Sequence, residues 1–532
     1  MRRGSSVNSM KIAIHRTFHF FIGKKVVSAS SQEAKKRSLK INVLHLGTKA
    51  KYIMVSVLIV IMIVSIFAFM RNATPIPDNI TPVQTIDPTT SPSPTGQSTP
   101  APTKKPTTQP ATTYYPQKPF IPGYEPEPTF PPRQPGIIEK AQAMNRDAWK
   151  GVANEAWTYF KPGIGIDPNT GLPGSTSGYP YFTDWDLGVY IQAVIDAQKM
   201  GLITDPVWTA NYRFDRVLTF LETRPLNNYS YPFWFYQAGD GKNYAPQSDL
   251  ATVTVDAVDA GRLFVALNNL KAYNANFTAR VDNIVLNGFR SDGSPGPNYA
   301  ALIPDIRNEN KSKSIYAYYY TSGFAAFWPA ELGNIPGQIL QNILNSPSIT
   351  VNTIGNITGN VTLPNSEITC EPLLHAVFEL NMSSSDRSKL MNFTRQVYLA
   401  HEELHNLTGQ WVAFSEGNSG SPDFIYEWVV LPGVGFWKVT KIDRTLYQPS
   451  NEPYNPIIYS KVALSFLALY NTTYAYNLTV YLEKCLPLPT IGWSDGADYT
   501  IELEKRTIIS SVGSNTNGMI LSASRYFMQN NS

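Results

Sequence analysis

Residues 183–202, TDWDLGVYIQAVIDAQKMGL, decide how most of this chain folds. A threonine precedes the apolar run, an aspartate follows it three residues later, and Gly201 ends the run, and these are the signals that begin and end a helix. Apolar side chains occupy most sides of this helix, which indicates that it is buried all round. They are Leu187, Val189, Tyr190, Ile191, Ala193, Val194, Ile195 and Ala197.

The rest of the chain, to residue 528, alternates richly apolar helical segments with more polar ones. Residues 206–225 form a more polar segment, residues 255–273 are again richly apolar, and residues 276–289 are mixed. Successive inner and outer helices of this kind predict a mainly α fold, an α/α toroid, over residues 136–532. Further helices are predicted at 137–160, 322–332, 371–380, 386–407, 455–470, 472–486 and 514–528, and local strands near 410–417, 424–431 and 436–442.

A second apolar stretch, Tyr52 to Met70 (YIMVSVLIVIMIVSIFAFM), has 19 residues without charge or proline. At about 1.5 Å per residue, a helix of this length crosses a bilayer core of about 30 Å. A cleaved signal peptide is the alternative, but the run is long and no small-x-small cleavage site closely follows it. We therefore predict one transmembrane helix at 52–70, in contact with the lipid bilayer.

Charge is distributed unevenly on the two sides of this predicted span. Residues 1–51 hold 12 Lys and Arg and a single acid, Glu33. Positive segments stay in the cytoplasm, so residues 1–51 are predicted as a basic cytoplasmic tail and the C-terminal domain as extracellular, in a single-pass cell-membrane protein. The remaining chain has 32 basic residues against 39 acidic ones, which gives no indication of nucleic-acid binding.

Residues 71–135 are rich in Pro, Thr and Ser and cannot bury a core, so they predict a disordered linker that holds the domain away from the membrane. Beyond it lie the two cysteines, Cys370 and Cys485, for which one disulfide is possible. Ten N-x-Ser/Thr sequons also lie between Asn228 and Asn477 and suggest a surface glycoprotein.

Several short segments, in order, resemble the family known as domain of unknown function 3131. This resemblance implies a glucoamylase-like (α/α)6 barrel related to glycan-acting modules, with a glycan or polysaccharide as partner and no cofactor, and it marks residues 340–368 as an insert. The segments are Thr183–Gly188, Val258–Leu263, Thr369–Pro372, Phe414–Glu416, Phe424–Tyr426, Ser460–Ala463, Gly492–Gly496 and Ser514–Asn517.

Glycoside hydrolysis needs two carboxyl groups that flank the scissile bond. Glu371 and Glu416 are the preferred catalytic pair, with Asp186 as a third candidate and Asp259 as a carboxylate that binds substrate. Each except Glu416 also has a structural alternative. Asp186 can close a capping box with Thr183, Asp259 can pair with Arg262 three residues along the same helix, and Glu371 can favour a helix dipole.

Aromatic and polar residues at family-matching positions are predicted to bind the glycan, because flat aromatic faces stack on sugar rings. The alternative for most of them is packing in the core or helix capping. The predicted substrate-binding residues are Trp185, Asp259, Arg262, Tyr426, Lys461, Trp493, Asp495 and Asn517, and Asn515 is a further polar candidate.

One motif supports a different chemistry. His401-Glu-Glu-Leu-His405 fits H-E-x-x-H, in which two histidines on one helix face bind zinc and Glu402 acts as general base. The alternative is a polar face of an outer helix. The sequence therefore supports a glycoside hydrolase-like domain first, with a non-catalytic glycan-binding module and a zinc peptidase as alternatives.

Overall fold

The computed structural model describes residue 130 and residues 133–530, apart from 142, 244–254, 353–357, 419–423, 442–443, 447–455, 488, 499–507 and 510. The predicted tail, the span at 52–70 and nearly all of the linker lie outside the described residues. Among the helices that are described, none is both long enough and apolar enough to cross a bilayer.

Helices make up most of this part of the chain. In chain order they are α1 (Ile137–Ala141), α2 (Arg146–Tyr159), α3 (Asp184–Lys199), α4 (Ala210–Thr223), α5 (Ala257–Tyr273), α6 (Thr278–Leu286), α7 (Ile303–Asn308), α8 (Ile315–Ala325), α9 (Pro329–Leu332), α10 (Ile335–Leu344), α11 (Cys370–Glu379), α12 (Ser384–Thr408), α13 (Ser460–Tyr470), α14 (Thr473–Cys485) and α15 (Ser514–Asn530).

Short strands lie between the helices and pair antiparallel. They are β1 (Tyr181–Phe182), β2 (Tyr236–Gln237), β3 (Ser348–Asn352), β4 (Thr358–Pro364), β5 (Glu416–Asn418), β6 (Phe424–Leu431), β7 (Gly435–Lys441), β8 (Ile457–Tyr459), β9 (Gly496–Asp498) and β10 (Ile508–Ile509). Their sheets have the orders β1-β2, β3-β4, β5-β6-β7 and β8-β9-β10. Strands β6 and β7 coincide with those expected at 424–431 and 436–442, whereas β5 overlaps only the last two residues of the strand expected at 410–417.

Six inner helices form a closed ring. Helices α3, α5, α8, α11, α13 and α15 each contact the next one, and α15 returns to contact α3. An outer helix packs on each of them: α4, α6, α10, α12, α14 and, on α15, helix α2. The described residues therefore form an (α/α)6 toroid, which confirms the predicted mainly helical α/α architecture.

Burial distinguishes the two rings. In α3 every residue from Asp184 to Ala197 is buried, as an inner helix with neighbours on all sides requires. In α12 only one face is buried, with Leu390, Phe393, Val397 and Leu404 among its members. Apolar content along each segment thus corresponds to its layer in the toroid.

Several parts of the chain differ from the sequence prediction. The helix predicted at 137–160 is divided into α1 and α2, and the one predicted at 455–470 begins only at Ser460, after strand β8. Helix α8 begins at Ile315, seven residues before the predicted start at 322, because its tyrosine-rich first half is buried on all sides and shows no helical period. The insert at 340–368 begins within α10 and continues as the β3-β4 hairpin, which packs on α12. Neither α10 nor this hairpin was predicted.

Candidate active site

The N-terminal ends of the inner helices meet at one end of the toroid. The Ser514 hydroxyl at the start of α15 donates to Asp186 Oδ1 of α3 at 2.7 Å. Glu371, in the first turn of α11, accepts hydrogen bonds from Lys461 of α13 and Asn515 of α15. Helix N-termini favour negative charge, so this end of the toroid suits carboxylates.

Glu371 is fully buried and has charged and polar partners on both carboxylate oxygens. The Lys461 ammonium donates to Oε2 and the Asn515 amide donates to Oε1. Burial raises the pKa of Glu371, but the charges of Lys461 and His375 and the hydrogen bonds from Lys461 and Asn515 outweigh it, so the pKa lies below its usual value. Glu371 is therefore a carboxylate at neutral pH.

Glu416 begins β5, where the strand register places it opposite Tyr426 of β6. It is buried, and its Oε2 accepts a hydrogen bond from the Tyr316 hydroxyl at the start of α8. Burial, followed by the negative charge of Glu371, raises the pKa of Glu416 well above its ordinary value. Both effects favour the protonated form of Glu416.

The two glutamates form a hydrogen-bonded carboxyl pair. Protonated Glu416 donates to the carboxylate of Glu371. Opposite pKa shifts in neighbouring carboxyls are the usual means by which a protein assigns one as acid and the other as base. The contact is nevertheless shorter than the separation of about 5 Å or more between two carboxyls that flank a glycosidic bond. The two predicted carboxyls thus lie in contact with each other, so they would face a bound substrate from the same side.

Asp186 takes part in the capping box that the sequence allowed. Thr183 N–H donates to Asp186 Oδ2 at 3.0 Å, and Trp185 N–H donates to Thr183 Oγ1 at 3.1 Å. Burial raises the pKa of Asp186 to about 6, against hydrogen bonds from Thr183 and Ser514 that lower it. Both carboxylate oxygens of Asp186 accept hydrogen bonds from the protein. Asp186 therefore caps the start of α3, as the sequence allowed.

Asp259 is half-buried and lies beside this cap. Trp234 Nε1 donates to its Oδ2 at 3.1 Å. Desolvation and then the charge of Asp256 raise the pKa of Asp259 well above its ordinary value. Asp259 is the most accessible of the four candidate carboxyls.

Arg262 does not pair with Asp259, in contrast to the helical pairing suggested by their spacing. Its guanidinium binds Glu379 at the end of α11, at 2.9 and 3.1 Å, with both side chains buried. Glu379 also accepts hydrogen bonds from the Tyr319 hydroxyl at 2.9 Å and from His375 at 2.7 Å. Arg262 thus anchors a buried network behind the carboxyl pair rather than lining an open cleft.

Trp185 and Tyr426 lie next to the carboxyl pair in different settings. Trp185 is 9% exposed, and its ring packs edge-on against His375 and Tyr319. Tyr426 is half-buried and stacks on Trp428. Glu416 and Asp259 both contribute to the raised pKa of Tyr426, which places its hydroxyl near both carboxyls. Tyr426 is therefore the better placed of the two to meet a ligand.

Three of the predicted substrate-binding residues have structural partners instead. Trp493 is 2% exposed and donates through Nε1 to the Val152 carbonyl. Asn517 bonds the backbone of Trp493 and Gly513. Asp495 accepts from the Gly513 N–H and the Ser511 hydroxyl. These contacts order the segment before α15, and they explain all three residues without a glycan.

The H-E-x-x-H motif lies on the outer helix α12 and does not form a zinc site. Both ring nitrogens of His401 are engaged: Nδ1 donates to the Val397 carbonyl at 2.8 Å, and Nε2 accepts from Phe414 N–H at 3.2 Å. His405 stacks on Trp411 with ring centres 3.6 Å apart. Among the described residues, no His, Cys, Asp or Glu cluster could hold a metal. The motif is instead a packed face of an outer helix.

Cys370 and Cys485 are both buried and are not bonded to each other, so the disulfide that the sequence allowed is not formed. Burial raises the pKa of the Cys370 thiol well above its ordinary value. The Cys370 Sγ atom lies 4.0 Å from His401 Nε2.

A cavity of about 360 Å³ lies away from the carboxyl pair, near the C-terminal ends of α5, α8 and α11. Its lining is polar and rich in amides, including Asn268, Asn269, Asn334 and Asn381. Glu379 lines this cavity and also belongs to the network behind Glu371.

Sequence reasoning missed four residues of the site: Tyr316, His375, Glu379 and Ser514. Glu371, His375 and Glu379 follow one another at four-residue spacing, which places them on one face of α11. A polar stripe on an otherwise apolar buried helix was the signal that could have revealed His375 and Glu379. Tyr316 gave no such signal, because it stands within a run of tyrosines.

Comparison with solved structures identifies similar toroids. The endo-β-1,2-glucanase from Talaromyces funiculosus, in complex with sophorose, is 11% identical, with a TM-score of 0.50, over 73% of this chain and 87% of that one. The endo-β-1,2-glucanase from Chitinophaga pinensis, with sophorotriose and glucose, is 14% identical, with a TM-score of 0.45, over 72% and 93%. At these identities the likeness concerns the fold.

Sequence comparison gives a more specific relationship. No curated protein matches the chain. The model of the family described as protein of unknown function DUF3131 matches residues 151–530, which include the carboxyl pair and all six inner helices of the ring. This chain is therefore a member of the DUF3131 family.

Proposed function

We propose that the toroid is a glycoside hydrolase-like domain that acts on a glucan. The observation that carries this proposal is the Glu371–Glu416 pair, in which two carboxyls in hydrogen-bond contact have pKa values shifted in opposite directions. An acid that stays protonated at neutral pH, beside an ionised partner, can protonate the oxygen of a leaving sugar.

Glu416 is the proton donor in this proposal. Glu371 is fully buried and held by Lys461 and Asn515, so it acts on Glu416 rather than on the sugar. The negative charge of Glu371 raises the pKa of Glu416 and so keeps this acid protonated. The Tyr316 hydroxyl, which donates to Glu416, fixes the orientation of the carboxyl group.

A second carboxyl must act on the other face of the sugar, where it activates water or serves as nucleophile. Asp259 is the better candidate, because it is half-buried, although Trp234 and Thr183 both donate hydrogen bonds to it. Asp186 has donors on both oxygens and is buried. If Asp259→Asn loses turnover and Asp186→Asn keeps it, Asp259 is supported as the second carboxyl. The reverse result identifies Asp186 instead.

The fold likeness suggests which substrates to test first. The Talaromyces funiculosus enzyme carries the same kind of toroid and is described with sophorose and with β-1,2-glucan. We therefore propose β-1,2-linked glucan as the first substrate class, followed by other β- and α-glucans.

The decisive experiment incubates the purified protein with each glucan and measures new reducing ends and product sizes. We expect turnover of at least one glucan, and a loss of about 100-fold or more in Glu416→Gln, in the range of general acid catalysis. Glu155→Gln, on the outer helix α2, is the matched control and should retain full activity. Full activity in Glu416→Gln would refute the assignment of the acid.

One observation favours a second candidate, a glycan-binding module without turnover. The two preferred carboxyls are in contact, whereas hydrolases hold their pair at about 5 Å or more. This candidate predicts saturable binding of a glucan, measured by calorimetry, with no product after prolonged incubation. Detection of turnover that Glu416→Gln abolishes would exclude it.

The proposal places the toroid outside the cell, anchored by a helix at 52–70 and a linker at 71–135. Its support is the basic tail before the apolar run and the exposure of the sequon asparagines. In the described residues every such asparagine is exposed: Asn228, Asn276, Asn310, Asn360, Asn381, Asn392, Asn406, Asn471 and Asn477. The tenth, Asn356, lies outside the described residues.

Topology can be tested on intact cells that make the protein. Protease added outside should remove the C-terminal domain and leave the basic tail protected. Mass spectrometry of peptides from the native protein should find glycans on several of the nine exposed asparagines. A protected domain without glycans would contradict the outward location.

A further inference from the structure

His375 lies in the middle of α11, one turn from Glu371 and one turn from Glu379, and is fully buried. Its ring stacks on Tyr319 of α8 and meets Trp185 of α3 edge-on. Its polar surroundings are Glu379 and Glu371 of its own helix and Asn515 of α15. The hydrogen-bond partners of this ring determine how many protons it carries.

On one side, Nδ1 lies 2.7 Å from Glu379 Oε1. Glu379 is ionised, because it pairs with the buried Arg262 guanidinium, whose charge is the largest effect that lowers its pKa against the burial that raises it. Arg262 binds it through two nitrogens, and the Tyr319 hydroxyl donates to it. A carboxylate only accepts hydrogen bonds, so Nδ1 of His375 must carry a proton.

On the other side, Nε2 lies 3.2 Å from Asn515 Oδ1. The orientation of this amide is fixed by Glu371, because the carboxylate accepts from Asn515 Nδ2 and would repel Oδ1. The amide oxygen therefore faces His375 and can only accept. The hydrogen bond exists only if Nε2 carries a proton as well.

From these contacts we infer that His375 is a buried imidazolium that positions Asn515 and Glu371. It completes a row of buried groups whose charges alternate in sign: Arg262, Glu379, His375, Glu371 and Lys461. Nε2 lies 4.0 Å from Glu371 Oε1, so the cation also favours the ionised form of Glu371. The catalytic part of this inference rests on the proposed function, whereas the protonation does not.

A second buried histidine, His401, serves as a comparison for the protonation of His375. His401 is equally buried, but its Nε2 accepts a hydrogen bond from Phe414 N–H and its Nδ1 donates to Val397. Burial lowers the pKa of His401 to about 4. His401 is therefore a neutral ring with one proton, in the same protein and at the same depth.

The first test is nitrogen NMR of the full protein with labelled histidine rings, near neutral pH. We expect two protonated nitrogens in His375 and one in His401, with each signal assigned by its loss in His375→Gln or His401→Gln. A single protonated nitrogen in His375 overturns the inference. Because the nitrogens are observed in the wild-type protein and the variants serve only for assignment, this result stands whether or not a substrate is found.

The second test measures the pH dependence of kcat/KM on whichever glucan is turned over. Loss of the cation in His375→Gln should raise both pKa values of the carboxyl pair, and so move the alkaline limb, which reports loss of the Glu416 proton, up by about 1 pH unit. His375→Lys keeps a positive charge, so its limb should lie between that of His375→Gln and that of wild type. His405→Gln, on α12, is the matched control with an unchanged profile.

The outcomes separate the two proposals. Absence of turnover on every glucan refutes the proposed function and leaves the protonation of His375 to the NMR result. Turnover with an unmoved alkaline limb in a folded His375→Gln variant refutes the positioning role alone.

Discussion

Asp186 is a buried carboxyl whose pKa is raised to about 6 from 3.8, chiefly by burial. The folded state therefore binds more protons than the unfolded state between these values. The stability that the group contributes is present below pH 3.8 and is lost as the pH rises through 6.

Asp186→Asn should abolish this dependence while preserving a polar partner for Thr183 and Ser514. The free energy of unfolding of the variant, relative to wild type, should increase by about 3 kcal/mol between about pH 4 and pH 7. Urea unfolding at several pH values measures the difference. A difference that stays constant with pH would contradict the raised pKa.

His401 should show the opposite trend. Its pKa is lowered from 6.5 to about 4, so its contribution to stability is present above 6.5 and is lost as the pH falls towards 4. His401→Gln keeps an acceptor for Phe414 N–H and does not titrate. We expect wild type to lose about 3 kcal/mol relative to the variant over this range, by the same urea method.

The carboxyl pair predicts a shift of the alkaline limb of kcat/KM. The charge of Glu371 raises the pKa of Glu416, so Glu371→Gln should lower that pKa and move the limb to lower pH, by about 1 unit or more. Lys461, left without its carboxylate, acts in the same direction. Glu155→Gln should leave the limb in place, and an upward shift in Glu371→Gln would refute the coupling.

Inner helices α5 and α8 approach one another through two glycines. A Cβ on Gly261 would lie 2.5 Å from the Tyr320 Cβ and carbonyl oxygen, and a Cβ on Gly323 would overlap the Gly261 carbonyl. Either alanine substitution therefore forces the helices apart.

Gly261→Ala and Gly323→Ala should each destabilise the fold by about 3 kcal/mol, measured by denaturant unfolding. The matched control is Gly151→Ala on the outer helix α2, where the new Cβ meets only the Ile137 side chain, at 3.2 Å. This change should be neutral or stabilising, because alanine favours a helix. Equal effects at all three positions would contradict the close approach.

Helix starts could be predicted where capping residues mark them in the sequence. Thr183 and Asp186 form the expected capping box, and α3 ends next to Gly201 as expected. The start of α8 could not be predicted, because a helix buried on every side has no polar face to set the period. Hairpin β3-β4 lies in the segment that the sequence analysis marked as an insert, where none of the short family-like segments falls.

The site was predictable as a set of residues but not as a set of contacts. Glu371, Glu416 and Lys461 were named from short segments, and they meet in the structure. Arg262 was given a partner three residues away, but its partner, Glu379, lies 117 residues along the chain. Such pairing depends on the ring of helices, which local spacing does not contain.

The whole toroid depends on its last helix. Helix α15 packs on α2, α3 and α13, and so closes the ring. Deletion of residues 514–532 should expose the inner faces of these helices and abolish cooperative unfolding, as followed by circular dichroism and calorimetry. A truncated chain with a sharp thermal transition would show that five inner helices suffice.

The same closure bears on how a cell makes this protein. Ser514 and Asn515, which hold Asp186 and Glu371, lie on α15, the sixth inner helix of the ring in chain order. A nascent chain from which α15 has not yet emerged therefore lacks the partners that hold these two carboxyls, and the ring cannot close. The five inner helices made before it meanwhile carry exposed apolar faces, which makes the growing chain a client for chaperones until α15 has left the ribosome.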